Sequence, residues 1–155
     1  PRAFDGKSID LYFRKQLMIA VTTLVKNASI AVVWDVWINP EHIVHWYFAT
    51  DDWCCPSAEM DCRVGGTFII RMEAKDQSFG FDFKATLTEV HELQSLKYTL
   101  EDGRLVVVTF RETEEGISVL WEFEPEQQNS EALQQQGWQA ILNHFKKYLE
   151  HSSVA

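Results

Sequence analysis

A short segment from His45 to Trp53 gathers the side chains best suited to acid–base chemistry. It places the imidazole of His45 close in sequence to the carboxylates of Asp51 and Asp52, among indole rings. A histidine beside a carboxylate can serve as a general base near neutral pH. His45 and Asp52 are therefore the candidate catalytic residues. Loop residues of this type are more often simply solvated, and the same group also fits the rim of a ligand pocket.

Thiol and metal chemistry find little support in the sequence. Cys54, Cys55 and Cys62 are the three cysteines, and no paired CxxC spacing typical of a zinc site connects them. His42 and His45 would supply only two ligands from one helical turn. No serine or cysteine stands in the setting of an activated nucleophile. We therefore predict no metal site and no cofactor. An odd number of cysteines without a disulfide framework indicates a reducing compartment.

Binding chemistry has a stronger signal, because apolar residues, many of them aromatic, recur at every second position through much of the chain. This is the period of strands with one buried and one solvated face. Large rings on a curved sheet can fill a core or line a cavity, and both interpretations stay open. The residues predicted to bind a ligand are Trp37, Trp46, Trp53, Phe68, Ile70, Met72, Phe79, Phe81, Phe83, Tyr98, Val108, Phe110, Trp121, Phe123, Gly137, Trp138 and Ile141.

The first elements that position these residues are a strand and two short helices. Alternating apolar and β-branched residues predict a strand from Gln16 to Val25. The apolar spacing from Ile30 to Ile38 is that of an amphipathic helix. This helix must end near Asn39, because Pro40 disfavours helical angles in the residue before it. Asn39 can then cap a second short helix that has Pro40 at its first position.

The middle of the chain is predicted to form about six antiparallel strands. Residues Tyr47 to Ser57 break the alternation and indicate an irregular loop, with a strand from Ala58 to Val64 after it. A strand with three phenylalanines extends from Phe79 to about Val90. The turns are marked by Gly65-Gly66, Asp76-Gln77-Ser78, Asp102-Gly103 and Glu115-Gly116.

A long helix follows the last strand. Ser130 or Asn129 can cap it, and it extends for about 20 residues, or roughly 30 Å. Its apolar face repeats at every fourth residue, namely Leu133, Gly137, Ile141, Phe145 and Leu149. Gly137 either leaves room for a cavity or allows the helix to approach the sheet closely. Because a sheet must cover its apolar face, we expect the sheet to curl around this helix.

The resulting fold class is α+β. It consists of a curved antiparallel sheet of about six or seven strands, two short helices after the first strand, and a long C-terminal helix packed across the sheet. Residues 1–155 are predicted to form a single domain, with a core at about 16–150 that follows a lead-in at 1–15.

The charge of the chain excludes several classes of partner. Lys and Arg number 14 against 23 Asp and Glu, which gives a formal net charge of -9. Such a chain repels nucleic acids and anionic lipid surfaces. No apolar run resembles a signal peptide or a membrane span. We therefore expect a cytoplasmic protein with no nucleic-acid partner and no membrane insertion, present as a monomer or a homodimer.

Several short motifs together carry a family resemblance. They span residues 33–37 (VWDVW), 39–43 (NPEHI), 46, 59–66 (EMDCRVGG), 101–103 (EDG) and 136–138 (QGW), with Leu142 on the final helix. In this order they resemble the helix-grip proteins of the START and birch-pollen-allergen (Bet v 1-like, SRPBCC) superfamily. More narrowly, they resemble proteins related to the C-terminal domain of the activator of the ninety-kilodalton heat-shock protein ATPase.

The resemblance implies a deep pocket between the sheet and the final helix, which the superfamily uses for lipids, hormones and polyketides. The leading hypothesis is non-enzymatic binding of a small apolar or amphipathic molecule. An alternative is a protein-interaction module for a heat-shock chaperone, which would stimulate its ATPase. A second alternative is a cyclase- or hydrolase-like enzyme that would use His45 or Asp52 at the same pocket. Fold alone does not decide among them.

Overall fold

The structure is a computed structural model that describes residues 14–15 and 17–151. The predicted lead-in at 1–15 therefore lies outside the described residues, except for Arg14 and Lys15. Within 17–151 the elements are, in order, β1 (Ile19–Val25), α1 (Ile30–Ile38), α2 (Pro40–Ile43), β2 (Trp53–Met60), β3 (Thr67–Ala74), β4 (Gly80–His91), β5 (Ser95–Leu100), β6 (Leu105–Thr113), β7 (Gly116–Phe123) and α3 (Glu131–His151).

The seven strands form one antiparallel sheet in the order β1-β7-β6-β5-β4-β3-β2. The first strand thus pairs with the last, with Ile19 opposite Phe123 and Val25 opposite Ile117. On β7 every second residue is buried, as the alternation predicted. Helix α3 lies against this sheet, so the predicted α+β helix-grip fold is confirmed. None of the helices in the described part of the chain has the length and hydrophobicity needed to cross a bilayer.

The helix starts follow from local hydrogen bonds. The side chain of Asn39 accepts a hydrogen bond from the backbone N–H of Glu41 at 3.0 Å, and Pro40 takes the first helical position of α2. Ser130 Oγ accepts from the N–H of Leu133 at 3.1 Å at the start of α3. The predicted cap at Asn39 is therefore confirmed, and of the two residues predicted for α3 it is Ser130 that caps the helix.

Strand β2 corrects the prediction of an irregular loop up to Ser57 and a strand from Ala58 to Val64. It begins at Trp53 and ends at Met60, and it pairs with β3 across a register shift between Cys54 and Ser57. Pro56 lies in this shift, and proline has no N–H to donate to a neighbouring strand. The bulge disturbs the two-residue alternation, which is why the pattern did not indicate a strand here.

The turn between β2 and β3 depends on Gly66. The N–H of Gly65 donates to the carbonyl of Leu87 at 2.8 Å, and the N–H of Leu87 donates to the carbonyl of Gly66 at 2.8 Å. A Cβ atom at position 66 would overlap the backbone carbonyl oxygen of Asp61. Any side chain at this position would therefore force the backbone of the turn to shift.

We expect Gly66→Ala to lower the free energy of unfolding by about 1–3 kcal/mol, because the backbone must move to admit the methyl group. Urea denaturation would measure the loss. The matched control is Gly65→Asn, because Gly65 has a φ of +82° and open space around it, which asparagine tolerates. An equal cost for the two variants would contradict this account of the turn.

Helix α3 also covers the edge of the described sheet at β1. Three of its side chains donate hydrogen bonds to carbonyl oxygens of alternate β1 residues, which point away from β7. The donor–acceptor pairs are Gln135 Nε2 to Ala20 (3.2 Å), Gln139 Nε2 to Thr22 (3.1 Å) and Lys146 Nζ to Leu24 (2.9 Å). These bonds fix the helix along the strand. The opposite edge of the sheet is β2.

An aromatic cluster fills the space under α1 and the C-terminal half of α3. The ring centroid of Trp37 lies 5.1 Å from that of Trp46, 5.2 Å from that of Trp121 and 5.1 Å from that of Phe145. All four side chains are buried. The indole N–H of Trp46 donates to the carbonyl of Val36 at 3.1 Å. This part of the interior is solid core.

Candidate functional site

A cavity of about 500 Å³ opens between the sheet and the N-terminal half of α3. Its lining comes from the segment before β2, from β2, β3, β4 and β7, from the turn before β6, from the connection between β7 and α3, and from α3 itself. The apolar lining residues are Phe48, Ala49, Trp53, Met72, Phe81, Phe83, Trp121, Gly137, Trp138 and Ile141. The polar lining residues are Tyr47, Thr50, Arg104, Glu126, Asn129 and Gln134. The interior face of the sheet is therefore partly filled and partly hollow.

The predicted ligand-binding residues divide between the cavity and its surroundings. Eight of them line the cavity: Trp53, Met72, Phe81, Phe83, Trp121, Gly137, Trp138 and Ile141. Another eight are buried in the core outside this lining: Trp37, Trp46, Phe68, Ile70, Tyr98, Val108, Phe110 and Phe123. Phe79 precedes β4 and is 73% exposed, so it does not face α3 as the alternation predicted. The alternating apolar pattern in the sequence therefore extends beyond the part of the sheet that α3 covers.

Gly137 provides much of the open space. Apart from its chain neighbours and the backbone of its own helix, a Cβ atom built at this position would meet no atom within 4 Å. Close approach of helix and sheet is therefore not the reason for glycine here, and of the two interpretations the cavity is the one that the geometry favours. A glycine inside a helix costs up to about 1 kcal/mol relative to alanine. The open space at this position therefore lowers the stability of the helix.

Trp138 forms a rigid wall of the cavity. Its ring stacks on Phe123 with a centroid distance of 3.8 Å and an interplanar angle of 12°. It also lies 4.4 Å from the ring of Trp121 and 6.1 Å from that of Phe83. Rings held from several sides have few alternative rotamers, so this wall presents a fixed apolar surface.

Two buried tyrosines near the cavity differ in their hydrogen bonds. The indole N–H of Trp121 donates to the hydroxyl of Tyr98 at 3.0 Å. Tyr47 is 4% exposed, and its hydroxyl has no hydrogen bond to the residues that the structure describes. Burial raises the pKa of both phenols, and the proximity of Tyr98 and Cys55 raises the pKa of Tyr47 further. Both hydroxyls are therefore uncharged at neutral pH.

Gln134, which sequence reasoning missed, organises the polar end of the cavity. It is 7% exposed, and its Nε2 donates to the backbone carbonyls of Glu126 (3.0 Å) and Asn129 (2.9 Å). Its Oε1 accepts from the N–H of Glu126 at 2.9 Å. Gln134 precedes Trp138 by four residues and Ile141 by seven. The helical period therefore places this polar residue on the apolar face of α3, and that signal could have identified it from the sequence.

We expect Gln134→Ala to lower the free energy of unfolding by about 1–3 kcal/mol, because it leaves backbone polar groups of the β7–α3 connection without their partner. Chemical denaturation would measure the loss. Gln136→Ala is the control, since Gln136 is exposed on the same helix and alanine is a good helix former. Equal stability of the two variants would show that the buried amide does not hold this connection.

His144, also missed, fastens the segment that forms one wall of the cavity. Its Nδ1 lies 2.5 Å from the carbonyl oxygen of Phe48, and its Nε2 lies 3.7 Å from a carboxylate oxygen of Asp51. The rings of Phe48 and His144 also pack at a centroid distance of 4.8 Å. Phe48 and its neighbours Ala49 and Thr50 line the cavity. His144 therefore ties this wall to α3.

The structure does not bring His45 and Asp52 together in the cavity. His45 stacks on the ring of Tyr148, with centroids 5.5 Å apart. The carboxylate of Asp52 accepts a hydrogen bond from the Thr50 hydroxyl, and its backbone carbonyl accepts one from the N–H of Lys75 at 2.8 Å. Neither residue belongs to the cavity lining.

The cysteines are free thiols: Cys55 is buried, whereas Cys54 and Cys62 are half-buried. Burial raises the pKa of the Cys55 thiol to about 11, so it is protonated at neutral pH and a poor nucleophile. Among the described residues, no three His, Cys, Asp or Glu side chains are grouped in a way that could hold a metal ion.

A curved antiparallel sheet around a long C-terminal helix, with an apolar cavity between them, defines a helix-grip protein of the START-like class. The family model for activator of Hsp90 ATPase homolog 1-like proteins matches residues 27–150. The chain belongs to this family, as its motifs predicted.

Solved structures agree with this assignment. The AHSA1-like protein from Aeromonas hydrophila is 37% identical, with a TM-score of 0.84 over 89% of this chain and 95% of that one. A protein from Cytophaga hutchinsonii is 40% identical, with a TM-score of 0.72 over 89% of this chain and 93% of that one. A Nitrosomonas europaea protein with 16% identity and a TM-score of 0.74, over 88% of this chain and 96% of that one, shares the fold. The comparison with curated proteins found no match.

Proposed function

We propose that the protein binds a small apolar or amphipathic molecule in the cavity between the sheet and α3. The observation that carries this proposal is the cavity itself, about 500 Å³ in volume and lined mainly by aromatic and aliphatic side chains. Ligand pockets typically have volumes of roughly 300–1,000 Å³ and a mostly apolar lining with a few polar groups. No catalytic role is proposed, because His45 and Asp52 lie outside the lining.

Binding would be driven by the release of water from apolar surface, about 25 cal/mol for each Å² buried before ordering costs are subtracted. The stacked Trp138 needs little reordering when a ligand arrives, which lowers those costs. Tyr47 and Asn129 contribute polar side chains to the lining and suit the polar end of an amphipathic molecule.

A titration with N-phenyl-1-naphthylamine tests the proposal, because this neutral probe becomes fluorescent in apolar surroundings. We expect saturable binding of one probe per chain, and native mass spectrometry should show the same stoichiometry. The matched control is Phe79→Ser, which removes an exposed aromatic ring outside the cavity and should leave binding unchanged. A signal that rises without saturation, or that disappears in Phe79→Ser, would contradict cavity binding.

A second candidate function is assistance to a heat-shock chaperone, which the description of the family favours. The exposed rings of Phe79 and Phe81, which are 73% and 48% exposed, offer an apolar surface for such a partner. The test is the ATPase rate of a purified Hsp90-type chaperone with and without this protein. If the protein stimulates the ATPase and Phe79→Ser reduces this stimulation, the role as a chaperone-interaction module is supported. An unchanged ATPase rate at excess protein would reject this role.

A further inference from the structure

The hydroxyl oxygen of Tyr47, a residue of the cavity wall, has no hydrogen-bond partner among the residues that the structure describes. The Tyr47 ring lies among aromatic neighbours, with its centroid 5.1 Å from that of Trp46, 5.9 Å from that of Phe83 and 6.1 Å from that of Trp121. The side chain is 4% exposed. Among the described residues, nothing donates a hydrogen bond to this hydroxyl or accepts one from it.

The hydroxyl of Tyr47 opens onto the cavity. In the described part of the chain, every completely enclosed side-chain nitrogen or oxygen has a hydrogen-bond partner. The unpartnered hydroxyl oxygen is therefore not completely enclosed, and the space that its residue lines is the cavity. An unpaired polar group in apolar surroundings costs free energy, which a hydrogen bond from a bound molecule would recover.

Among the described residues, the cavity lining offers this hydroxyl no unpaired cationic side chain. Arg104 is the one basic residue in the cavity lining of the described chain. Its guanidinium already donates to the carboxylate of Asp102 at 2.8 Å and to the carbonyl of Glu124 at 3.4 Å. Burial keeps the Tyr47 phenol protonated by raising its pKa, so it is a neutral donor and acceptor. A carboxylate placed here would be desolvated without a counter-charge.

We propose that the molecule bound in the cavity is uncharged, with an apolar body of ring size and one hydroxyl or carbonyl oxygen that forms a hydrogen bond with Tyr47. Tyr47 is then the residue that selects among apolar molecules of similar shape. This inference rests on the proposed function, because it assigns the ligand class of the same cavity.

Three probes of similar shape, used at pH 7, separate the contributions of the apolar ring, the hydrogen bond and the charge to the affinity. The first, 2-naphthol, carries a neutral hydroxyl group. The second, 2-methylnaphthalene, carries no oxygen, and the third, 2-naphthoate, carries a charged carboxylate. Their dissociation constants would be measured with the wild-type chain and with Tyr47→Phe, which keeps the ring and removes only the hydroxyl. We expect this variant to bind 2-naphthol about fivefold to tenfold more weakly, since one net hydrogen bond is worth about 1 kcal/mol, and to bind 2-methylnaphthalene with unchanged or higher affinity.

The matched control is Tyr98→Phe, because the Tyr98 hydroxyl is already bonded to Trp121. It should change the affinities for 2-naphthol and 2-methylnaphthalene by the same factor. Equal effects of Tyr47→Phe on these two probes would overturn the role of Tyr47 and leave the cavity as a binding site. Failure of all three probes to bind the wild-type chain would overturn the proposed function itself, and this inference with it.

The inference that the ligand is uncharged can be tested with the wild-type chain alone. We expect 2-naphthol to bind at least about tenfold more tightly than 2-naphthoate, since the latter must bury a carboxylate without a cation. Tighter binding of 2-naphthoate would overturn the neutral ligand class, whatever the folding of Tyr47→Phe.

Discussion

Replacement of Gly137 by leucine is expected to weaken binding of N-phenyl-1-naphthylamine at least tenfold while the protein stays folded. The added side chain would project from α3 into space where a Cβ atom meets nothing within 4 Å, so it would occupy the cavity without displacing core atoms. The volume available to a ligand would fall, and the apolar lining around Trp121 and Trp138 would be covered. Fluorescence titration should show at least a tenfold rise in the dissociation constant, or about 1.4 kcal/mol.

The matched control is Gly137→Ala, which adds one methyl group at the same position. Alanine should keep most of the binding and raise the free energy of unfolding by about 0.5–1 kcal/mol, because it removes a glycine from the middle of a helix. Undiminished probe binding by Gly137→Leu would show that ligands do not enter this space.

Replacement of Trp37 by alanine is expected to lower the free energy of unfolding by about 3–5 kcal/mol. Trp37 is 4% exposed and packs against Trp46, Trp121 and Phe145, so its removal leaves a large void in the solid part of the interior. The surrounding rings are held by one another and cannot collapse fully into the void. Urea denaturation followed by circular dichroism would measure the loss.

Trp53→Ala provides the comparison for this prediction. Trp53 is only half-buried and lines the cavity, so its loss should cost less stability than that of Trp37 and should weaken probe binding. The opposite ranking of the two stabilities would mean that the core and the cavity have been assigned to the wrong halves of the molecule.

Most of the fold was predictable because its signals are local. Alternation along β7, the cap at Asn39 and the apolar spacing of α3 each act within a few residues, and they agree with one another. The first part of strand β2 was not predicted, because Pro56 and the bulge around it disturb the two-residue alternation that indicates a strand. A strand at the edge of a sheet tolerates such an interruption, which a central strand does not.

The candidate site was only partly predictable. Alternation assigns residues to the interior face of the sheet, but it cannot say which part of that face is hollow. That depends on side chains from α1 and α3, which are distant in sequence: Trp37 fills one half, and Gly137 leaves the other open. The contact of His144 with Phe48 joins residues 96 positions apart, and the sequence contains no pattern for such a pair.

The hydrogen bonds from α3 to β1 have a consequence for self-association. An uncovered edge strand is a template for the addition of a strand from another molecule, which is a route to domain swapping and fibrils. The carbonyls of Ala20, Thr22 and Leu24 are occupied by side chains of the same molecule, so a foreign strand would have to displace the helix first. At the other margin, Pro56 offers no N–H for a continuous ladder. Sheet extension is thus hindered at both ends.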